Sequence, residues 1–151
     1  MKALIQRVNY ASVTVDGHCV GCIEQGVLAY IGLGPDDTLQ SAKRMIDKIL
    51  TYRIFVNDDD PAKRGKLDKN VQQIEGGVLL VSQFTLMAKT DKGRRPDFGG
   101  AMAPDAAQAL FAQLIEYAKT QYADVETGEF GADMQVESAN DGPLNFLLEV
   151  D

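Results

Sequence analysis

The apolar residues of this chain occur in short runs separated by glycine-containing turns, and this pattern restricts the possible folds more than any other feature. Residues Ala11 to Val15 alternate apolar with polar side chains, as in a strand with one buried face. The Asp16-Gly17 turn and the apolar run Val20 to Ile23 then predict a hairpin. Another strand is expected from Val27 to Leu33, where Gly34-Pro35 ends it.

Two helices and three further strands are expected in the rest of the chain. Apolar residues follow helical spacing from Leu39 to Leu50, after residues that suit a helix start. A second helix begins at Pro104, a favoured first-turn residue, and its apolar stripe runs to Ala118. Gly77 to Leu86 suits a buried strand, and two more strands are expected near Ala132 to Val136 and Leu144 to Val150. These elements predict a mixed α/β fold with a mainly antiparallel, barrel-like sheet and two packing helices, in an order that the pattern leaves open.

Length and composition are typical of a single globular domain. The 151 residues are enough to bury one continuous core, and no linker, repeat or low-complexity tract divides residues 1–151. The strongest apolar runs, Val27 to Ile31 and Val78 to Val81, fall far short of the ~20 residues that span a membrane. The first residues lack the apolar stretch of a secretory signal. We therefore expect a cytoplasmic protein with no membrane partner.

The net charge of −7, taken alone, argues against nucleic acid as a partner, because phosphate affinity comes largely from lysine and arginine. The charges are unevenly distributed, however. Acidic side chains concentrate at Asp58 to Asp60 and in the last third of the chain, whereas Lys63, Arg64 and Lys66 form a basic group. A second basic group, here called the basic segment (residues 89–95), contains Lys89, Lys92, Arg94 and Arg95. Such a segment is compatible with docking one end of an RNA on an otherwise acidic protein.

The sequence offers few residues for conventional catalysis. His18 is the only histidine, which argues against a serine–histidine–acid triad, and no glycine-rich phosphate loop is present. Cys19 and Cys22 have the spacing of redox or zinc sites, but zinc would need further ligands. In a regular strand, residues three apart point to opposite faces and lie ~10 Å apart, too far for a disulfide. We therefore expect ordinary hairpin side chains here, unless a tight turn brings the thiols together.

Two short segments remain that have no obvious structural reason for their composition. The Ser82–Leu86 segment, Ser-Gln-Phe-Thr-Leu, ends the predicted buried strand, and Asn140-Asp141-Gly142-Pro143 precedes the last one. A purely structural interpretation makes the first a strand end whose Phe84 and Leu86 fill the core. The same interpretation makes the second a turn. Both interpretations are open from the residues alone.

These two segments resemble the two signatures of the D-aminoacyl-tRNA deacylase family. The second resembles the Gly-cisPro motif of that family. The resemblance runs along the whole chain in order, through Gln6-Arg7-Val8, Ala11-Ser12-Val13, Tyr52-Arg53-Ile54-Phe55, Asn70-Val71-Gln72-Gln73, Lys92-Gly93-Arg94-Arg95-Pro96, Thr127-Gly128, Phe130-Gly131-Ala132, Met134 and Val136. It implies the D-aminoacyl-tRNA deacylase-like fold and hydrolysis of the ester that joins a D-amino acid to tRNA, with glycyl-tRNA also accepted.

The resemblance also implies which residues act on the substrate. The catalytic segment would be Ser82, Gln83, Phe84 and Thr85, with main-chain amides holding the ester and a ribose hydroxyl of the RNA assisting the water. Thr85 as a covalent nucleophile is the alternative, but it has no histidine to activate it. No cofactor and no catalytic metal are implied. RNA binding is expected from Lys89, Lys92, Arg94 and Arg95.

Chirality is expected to depend on a homodimer. The resemblance implies that Gly142 and Pro143 of one subunit, joined by a cis bond, enter the site of the other and exclude L side chains. Arg7 resembles the arginine that holds this loop, although a plain surface charge would be the simpler interpretation. Met134 is expected among the substrate-binding residues.

One departure from the family pattern follows the glycine–proline pair. The family usually continues Val-Thr, whereas this chain has Leu144-Asn145. The change could alter how the loop is braced, and the charged loop Asn57–Lys66 has no assigned role. Two rival functions remain: a related tRNA deacylase with relaxed chirality, and a non-catalytic nucleic-acid-binding dimer on the same fold.

Overall fold

The computed structural model describes residues 1–151. The strands are β1 (Lys2–Val15), β2 (His18–Ile23), β3 (Gly26–Gly32), β4 (Phe55–Val56), β5 (Leu67–Lys69), β6 (Gly77–Ser82), β7 (Val125–Thr127) and β8 (Gln135–Glu149). The helices are α1 (Leu39–Thr51) and α2 (Pro104–Gln121), and a 3-10 turn covers Phe84–Met87. No helix has the length and apolar character needed to cross a membrane.

The long strand β1 organises the sheet. Along one side it pairs antiparallel with β8, and along the other side it pairs first with β3 and then with β2. Strand β6 adds parallel to β3, and β7 adds parallel to β6. The sheet curls until β2 approaches β7, where a Cβ on Gly21 would lie 2.4 Å from the Thr127 carbonyl oxygen. The mixed, mainly antiparallel, barrel-like sheet with two helices is therefore confirmed.

The two faces of the sheet bury different cores. The helices cover one face, where α1 and α2 pack on alternate residues of β3 such as Ala29 and Ile31. The other face closes over a smaller core that includes Leu28 and Leu79. Helix α1 begins at a capping box in which Thr38 and Ser41 satisfy each other's backbone N–H groups.

A buried ion pair connects the start of the chain to this core. The Met1 amine contacts the Asp37 carboxylate at 2.8 Å and donates to the Val150 carbonyl at 2.9 Å. Asp37 also accepts from the Gly34 N–H at 2.7 Å. Because the Met1 side chain is fully covered and that of Asp37 is 6 % exposed, water screens this pair poorly. The pair therefore fixes the chain directly after β3, where it leads into α1.

Several element boundaries differ from those expected. Strand β6 ends at Ser82 instead of Leu86, because the chain turns there into the 3-10 turn. The two expected C-terminal strands are one continuous strand, β8, and β1 begins at Lys2 instead of Ala11. The short strand β7 and the hairpin of β4 and β5 were not anticipated. These segments are too short, or too interrupted by polar residues, for local patterning to mark them.

The expectation that Cys19 and Cys22 point to opposite faces was wrong. Strand β2 bulges between them, so that Cys19 lies opposite Thr14 and Cys22 lies opposite Ser12. Residues two apart on β1 share a face, and the two cysteines opposite them therefore share a face as well. Both are free and exposed.

The loop Asn57–Lys66 connects β4 to β5. It is held by the buried Asn57, whose side chain donates to Asp68 at 2.9 Å and accepts from the Asp59 N–H at 3.2 Å. The Asn57 hydrogen bond and the neighbouring Lys63 ammonium lower the pKa of the Asp68 carboxyl. The basic group of this loop is thus partly neutralised by acidic side chains of the same hairpin.

Candidate active site

The Ser82–Leu86 segment forms one wall of a cavity. Ser82 ends β6 beside Ile31 of β3, and the Gln83 N–H donates to the Ile31 carbonyl at 2.8 Å. The chain then turns into the 3-10 turn, which carries Phe84 outward. Phe84 is 57 % exposed, so the interpretation that it fills the core was wrong.

The cavity has a volume of about 550 Å³, which lies in the range of small-molecule sites. Its lining is mostly apolar, with polar groups concentrated at the end of β6. The lining residues are Ser82, Gln83, Phe84, Phe98, Ala101, Met102, Ala103, Pro104, Ala107, Phe130, Gly131, Ala132 and Met134.

Four of the expected site residues therefore share this cavity: Ser82, Gln83, Phe84 and Met134. Thr85, the next residue of the 3-10 turn, is exposed and does not line the cavity. Its N–H, like that of Phe84, belongs to the first turn of a helix, where N–H groups have no partner within the helix. The segment can thus present main-chain donors beside an apolar space.

Two aromatic residues that line the cavity, Phe98 and Phe130, were not among the site residues predicted from the sequence. Phe98 packs on Phe84 with ring centroids 5.0 Å apart, and Phe130 packs on Phe111 of α2 at 5.9 Å. Phe98 closely follows the basic segment, and Phe130 lies in a stretch that already carried the family resemblance. In both cases the sequence signal was an aromatic residue followed by a glycine in a loop, Phe98-Gly99 and Phe130-Gly131.

The basic segment lies in the chain between two residues of the cavity wall, Phe84 and Phe98. Lys89 and Asp97 pair through two backbone hydrogen bonds, at 2.7 and 3.3 Å, which close the loop between Phe84 and Phe98. Every side chain of residues 89–97 is exposed. The four cationic side chains therefore extend into solvent from a loop that lies between two lining residues of the cavity, Phe84 and Phe98.

Gly142 and Pro143 lie apart from the residues that line this cavity. On β8, Asn145 lies opposite Gln6 and Asn140 lies opposite Val8, so residues 141–144 bulge out opposite Arg7. We call this bulge the Gly142–Pro143 loop. The Gly142–Pro143 peptide bond is cis, and both residues are exposed. Gly142 has φ +120°, a conformation that disfavours any side chain.

Arg7 holds the base of this loop. Its Nε contacts the Asp141 carboxylate at 2.9 Å and donates to the Asp141 carbonyl at 3.3 Å. Its Nη1 donates to the Ile54 carbonyl at 2.9 Å. The Arg7 side chain is only 12 % exposed, so the interpretation as a plain surface charge was wrong.

The comparisons with known proteins decide the family. The model of the D-Tyr-tRNA(Tyr) deacylase family matches residues 4–149. The chain is 84% identical over 150 residues to a D-aminoacyl-tRNA deacylase of Psychrobacter arcticus, covering 99% of both chains. It is 57% identical over 151 residues to one of Acinetobacter baumannii, covering all of this chain and 99% of that one.

The chain belongs to the D-Tyr-tRNA(Tyr) deacylase family. This is a family of hydrolases, so the chain is a member of an enzyme family. Solved structures agree with the fold. A structure titled c-Myc DNA Unwinding Element Binding Protein superimposes with a TM-score of 0.92 at 37% identity, covering 100% of this chain and 99% of that chain. A probable eukaryotic D-amino acid tRNA deacylase superimposes with a TM-score of 0.83 at 17% identity, covering 99% and 98%.

This deacylase-family member braces the Gly142–Pro143 loop from within its own chain. The Asn140 side-chain amide donates to the Arg7 carbonyl at 3.0 Å and to the Leu144 carbonyl at 3.3 Å. A Cβ on Gly142 would lie 3.1 Å from Leu144 Cγ and 3.2 Å from Arg7 Nη2. Leu144, one of the two residues that depart from the family pattern, therefore packs directly beside Gly142.

Proposed function

We propose that this protein hydrolyses the ester bond of D-aminoacyl-tRNA and releases free D-amino acid and tRNA. One observation carries the proposal: Ser82, Gln83 and Phe84 line an apolar cavity where the chain enters a 3-10 turn, whose first N–H groups have no partner within the turn. Ester hydrolysis needs donors for the oxyanion that develops at the carbonyl oxygen. The family membership supplies the substrate class.

The N–H groups of Phe84 and Thr85 are the proposed oxyanion donors. The Gln83 N–H already donates to Ile31, so Gln83 shapes the turn instead of binding the ester. A preorganised donor of this kind is worth ~2.7–4 kcal/mol in measured cases. Main-chain donors of this kind would act without any essential side chain.

The attacking water is proposed to be assisted by a hydroxyl of the RNA's terminal ribose. His18 is exposed and lies in the hairpin of β1 and β2, whereas Thr85 lies in the turn after β6. No three His, Cys, Asp or Glu side chains converge in a way that would hold a metal ion. We therefore propose a reaction that uses no cofactor and no protein general base.

Chiral selection is proposed to come from a second copy of the chain. The Gly142–Pro143 loop is exposed, and neither residue lines the cavity of its own chain. Inserted into the cavity of the partner, its main chain would occupy the space that an L side chain needs. A D side chain would point away from it, and glycine, which has no side chain, would also be accepted.

The outer surface of β8 supports dimerisation. Strand β8 pairs only with β1, so its other edge is unpaired along the length of a long strand. Such an edge is open to pairing unless another chain covers it. Leu147 of β8 is 54 % exposed, which adds an apolar contact to the same surface. A homodimer through β8 would cover both features and bring each Gly142–Pro143 loop to a partner.

The deciding experiment measures deacylation of matched D-Tyr-tRNA, L-Tyr-tRNA and Gly-tRNA by the purified protein. We expect fast release from the D-tyrosyl and glycyl substrates and no release from the L-tyrosyl one. Comparable rates on the D and L substrates would replace the proposal with a deacylase of relaxed chirality. No hydrolysis of any substrate would overturn the enzymatic proposal.

A second candidate is nucleic-acid binding without catalysis. The 37% identical solved structure is titled as a binding protein of a DNA unwinding element, which favours this alternative. The same purified sample distinguishes the two, since a binding protein would retain single-stranded DNA and leave every aminoacyl ester intact. The exposed main-chain turn at the cavity favours the hydrolase.

A further inference from the structure

The bulge in β2 creates a pair of neighbouring thiols outside the proposed active site. Cys19, Gly21 and Cys22 lie opposite three consecutive residues of β1, so Val20 is the inserted residue. The two cysteines consequently occupy the places of residues two apart in a regular strand. That spacing corresponds to ~6.6 Å along the strand. The Cα atoms of disulfide-bonded cysteines lie ~4.4–6.8 Å apart, so the spacing allows a bridge.

The side chains approach each other within this geometry. The Cys19 Sγ lies 3.6 Å from the Gly21 carbonyl oxygen, so the thiol is directed along the strand toward Cys22. The negative charge of a Cys19 thiolate is the largest cause of a raised pKa at Cys22. Glu126 of β7 adds a smaller contribution in the same direction. The charge of one thiol thus affects the ionisation of the other, as expected of neighbouring groups.

The surroundings keep the pair in place and open to solvent. Gly21 between them is buried against β7, where the Thr127 carbonyl leaves no room for a Cβ. This contact anchors the bulge from below, while Cys19 and Cys22 are both exposed. No third ligand from His, Cys, Asp or Glu completes a metal site around them.

We propose that Cys19 and Cys22 form a reversible disulfide within one chain, by exchange with a low-molecular-weight disulfide such as oxidised glutathione. The thiolate of one cysteine attacks a sulfur of the small disulfide, which breaks that S–S bond and releases one small thiol. The thiolate of the other cysteine then attacks the mixed disulfide and displaces the second small thiol. In total, two protein thiols are oxidised and one small disulfide is reduced to two thiols.

The experiment incubates the reduced protein with oxidised glutathione and then measures free thiols and intact mass. The chain contains only two cysteines, so the measurement has no background. We expect both thiols to be lost with no glutathione retained, and both to return with dithiothreitol. Cys19→Ser and Cys22→Ser should each retain one glutathione, because the second attack is no longer possible.

A matched control places the same two thiols on opposite faces. The double variant His18→Cys, Cys19→Ser keeps Cys22 and moves the other thiol to the residue opposite Val15. It should accumulate glutathione adducts instead of an internal disulfide. The proposal is overturned if the unmodified chain retains glutathione, keeps both thiols free, or forms a disulfide-linked pair of chains. It is also overturned if the control closes an internal disulfide as readily.

Discussion

At the scale of single residues, the Arg7 guanidinium joins segments that are far apart in the sequence. It contacts Asp141 in the Gly142–Pro143 loop and the Ile54 carbonyl after α1. Arginine suits this role because its planar fork donates in several directions at once. The proposed insertion of this loop into another subunit in one shape would need such a support at its base.

Replacing Arg7 with Ala should reduce kcat/KM for D-Tyr-tRNA by about tenfold or more. Hydrogen bonds to charged groups contribute ~1.5–3 kcal/mol, and 1.4 kcal/mol corresponds to a factor of ten. Arg53→Ala is the control, because Arg53 is 63% exposed and pairs with Asp68 outside the site. Equal rates for the unmodified protein and the Arg7 variant would contradict the bracing role.

Thr85 allows the main chain and the side chain to be tested separately. Thr85→Ala keeps the N–H and should retain most of the activity. Thr85→Pro removes this N–H, which has no partner within the turn, and should lower kcat by ~10²–10³, as loss of one oxyanion donor does. Melting curves check that both variants fold. Trapping an acyl group on Thr85 would instead establish covalent catalysis.

At the scale of elements, the sheet places the two halves of the proposed chemistry on different strands. The end of β6 supplies the cavity with its polar groups, whereas the middle of β8 supplies the Gly142–Pro143 loop. The basic segment follows the 3-10 turn directly and returns to the cavity at Phe98. The proposed function therefore places these cationic side chains close to an RNA end that enters the cavity.

Replacing Arg94 and Arg95 together with Ala should weaken tRNA binding and flatten its dependence on salt. Each lost phosphate contact lowers the slope of log affinity against log salt by ~0.7–0.9. The matched control is Lys63→Ala with Arg64→Ala, which removes two cations from the loop between β4 and β5. Binding measured across a salt series should respond to the first pair alone. An equal response to both pairs would mean that only the total charge matters.

At the scale of the whole molecule, the proposal requires two chains for one complete site. A dimer with Gly142→Ala keeps both 3-10 turns and has two altered loops. A dimer with Thr85→Pro keeps both loops and has two altered 3-10 turns. Only a mixed dimer contains one intact 3-10 turn facing one intact loop.

Gly142→Ala should also lower activity strongly, because φ +120° strains any side chain and the added Cβ would lie 3.1 Å from Leu144 Cγ. Mixing these two impaired variants under conditions of subunit exchange should therefore restore activity. Random exchange makes about half of the dimers mixed, each with one working site, so about a quarter of the unmodified activity is expected. A deacylation assay after exchange measures this directly. No recovery, with exchange demonstrated by differently tagged chains, would show that the loop does not act across the interface.

Local patterning was sufficient for much of the fold and for part of the candidate site. The apolar stripe from Ala107 to Ala118 predicts α2, and Asp16-Gly17 predicts the hairpin of β1 and β2. Such features depend on neighbours in the chain, because helix and strand periods decide which side chains share a face. The Ser82–Leu86 segment and Gly142-Pro143 could be selected by resemblance for the same reason: their pattern is local.

Contacts between distant segments decided the rest. The 3-10 turn after Ser82, the single strand β8 and the cavity walls Phe98 and Phe130 result from how the sheet closes. The bulge that brings Cys19 beside Cys22 results from pairing with β1, and it reverses the face expected from spacing alone. Periodicity describes one element by itself. Strand register, sheet closure and bulges are instead set by the free energy of all the elements packed together. The sequence thus determined which residues are proposed to carry the chemistry, and the tertiary structure decided which of them meet.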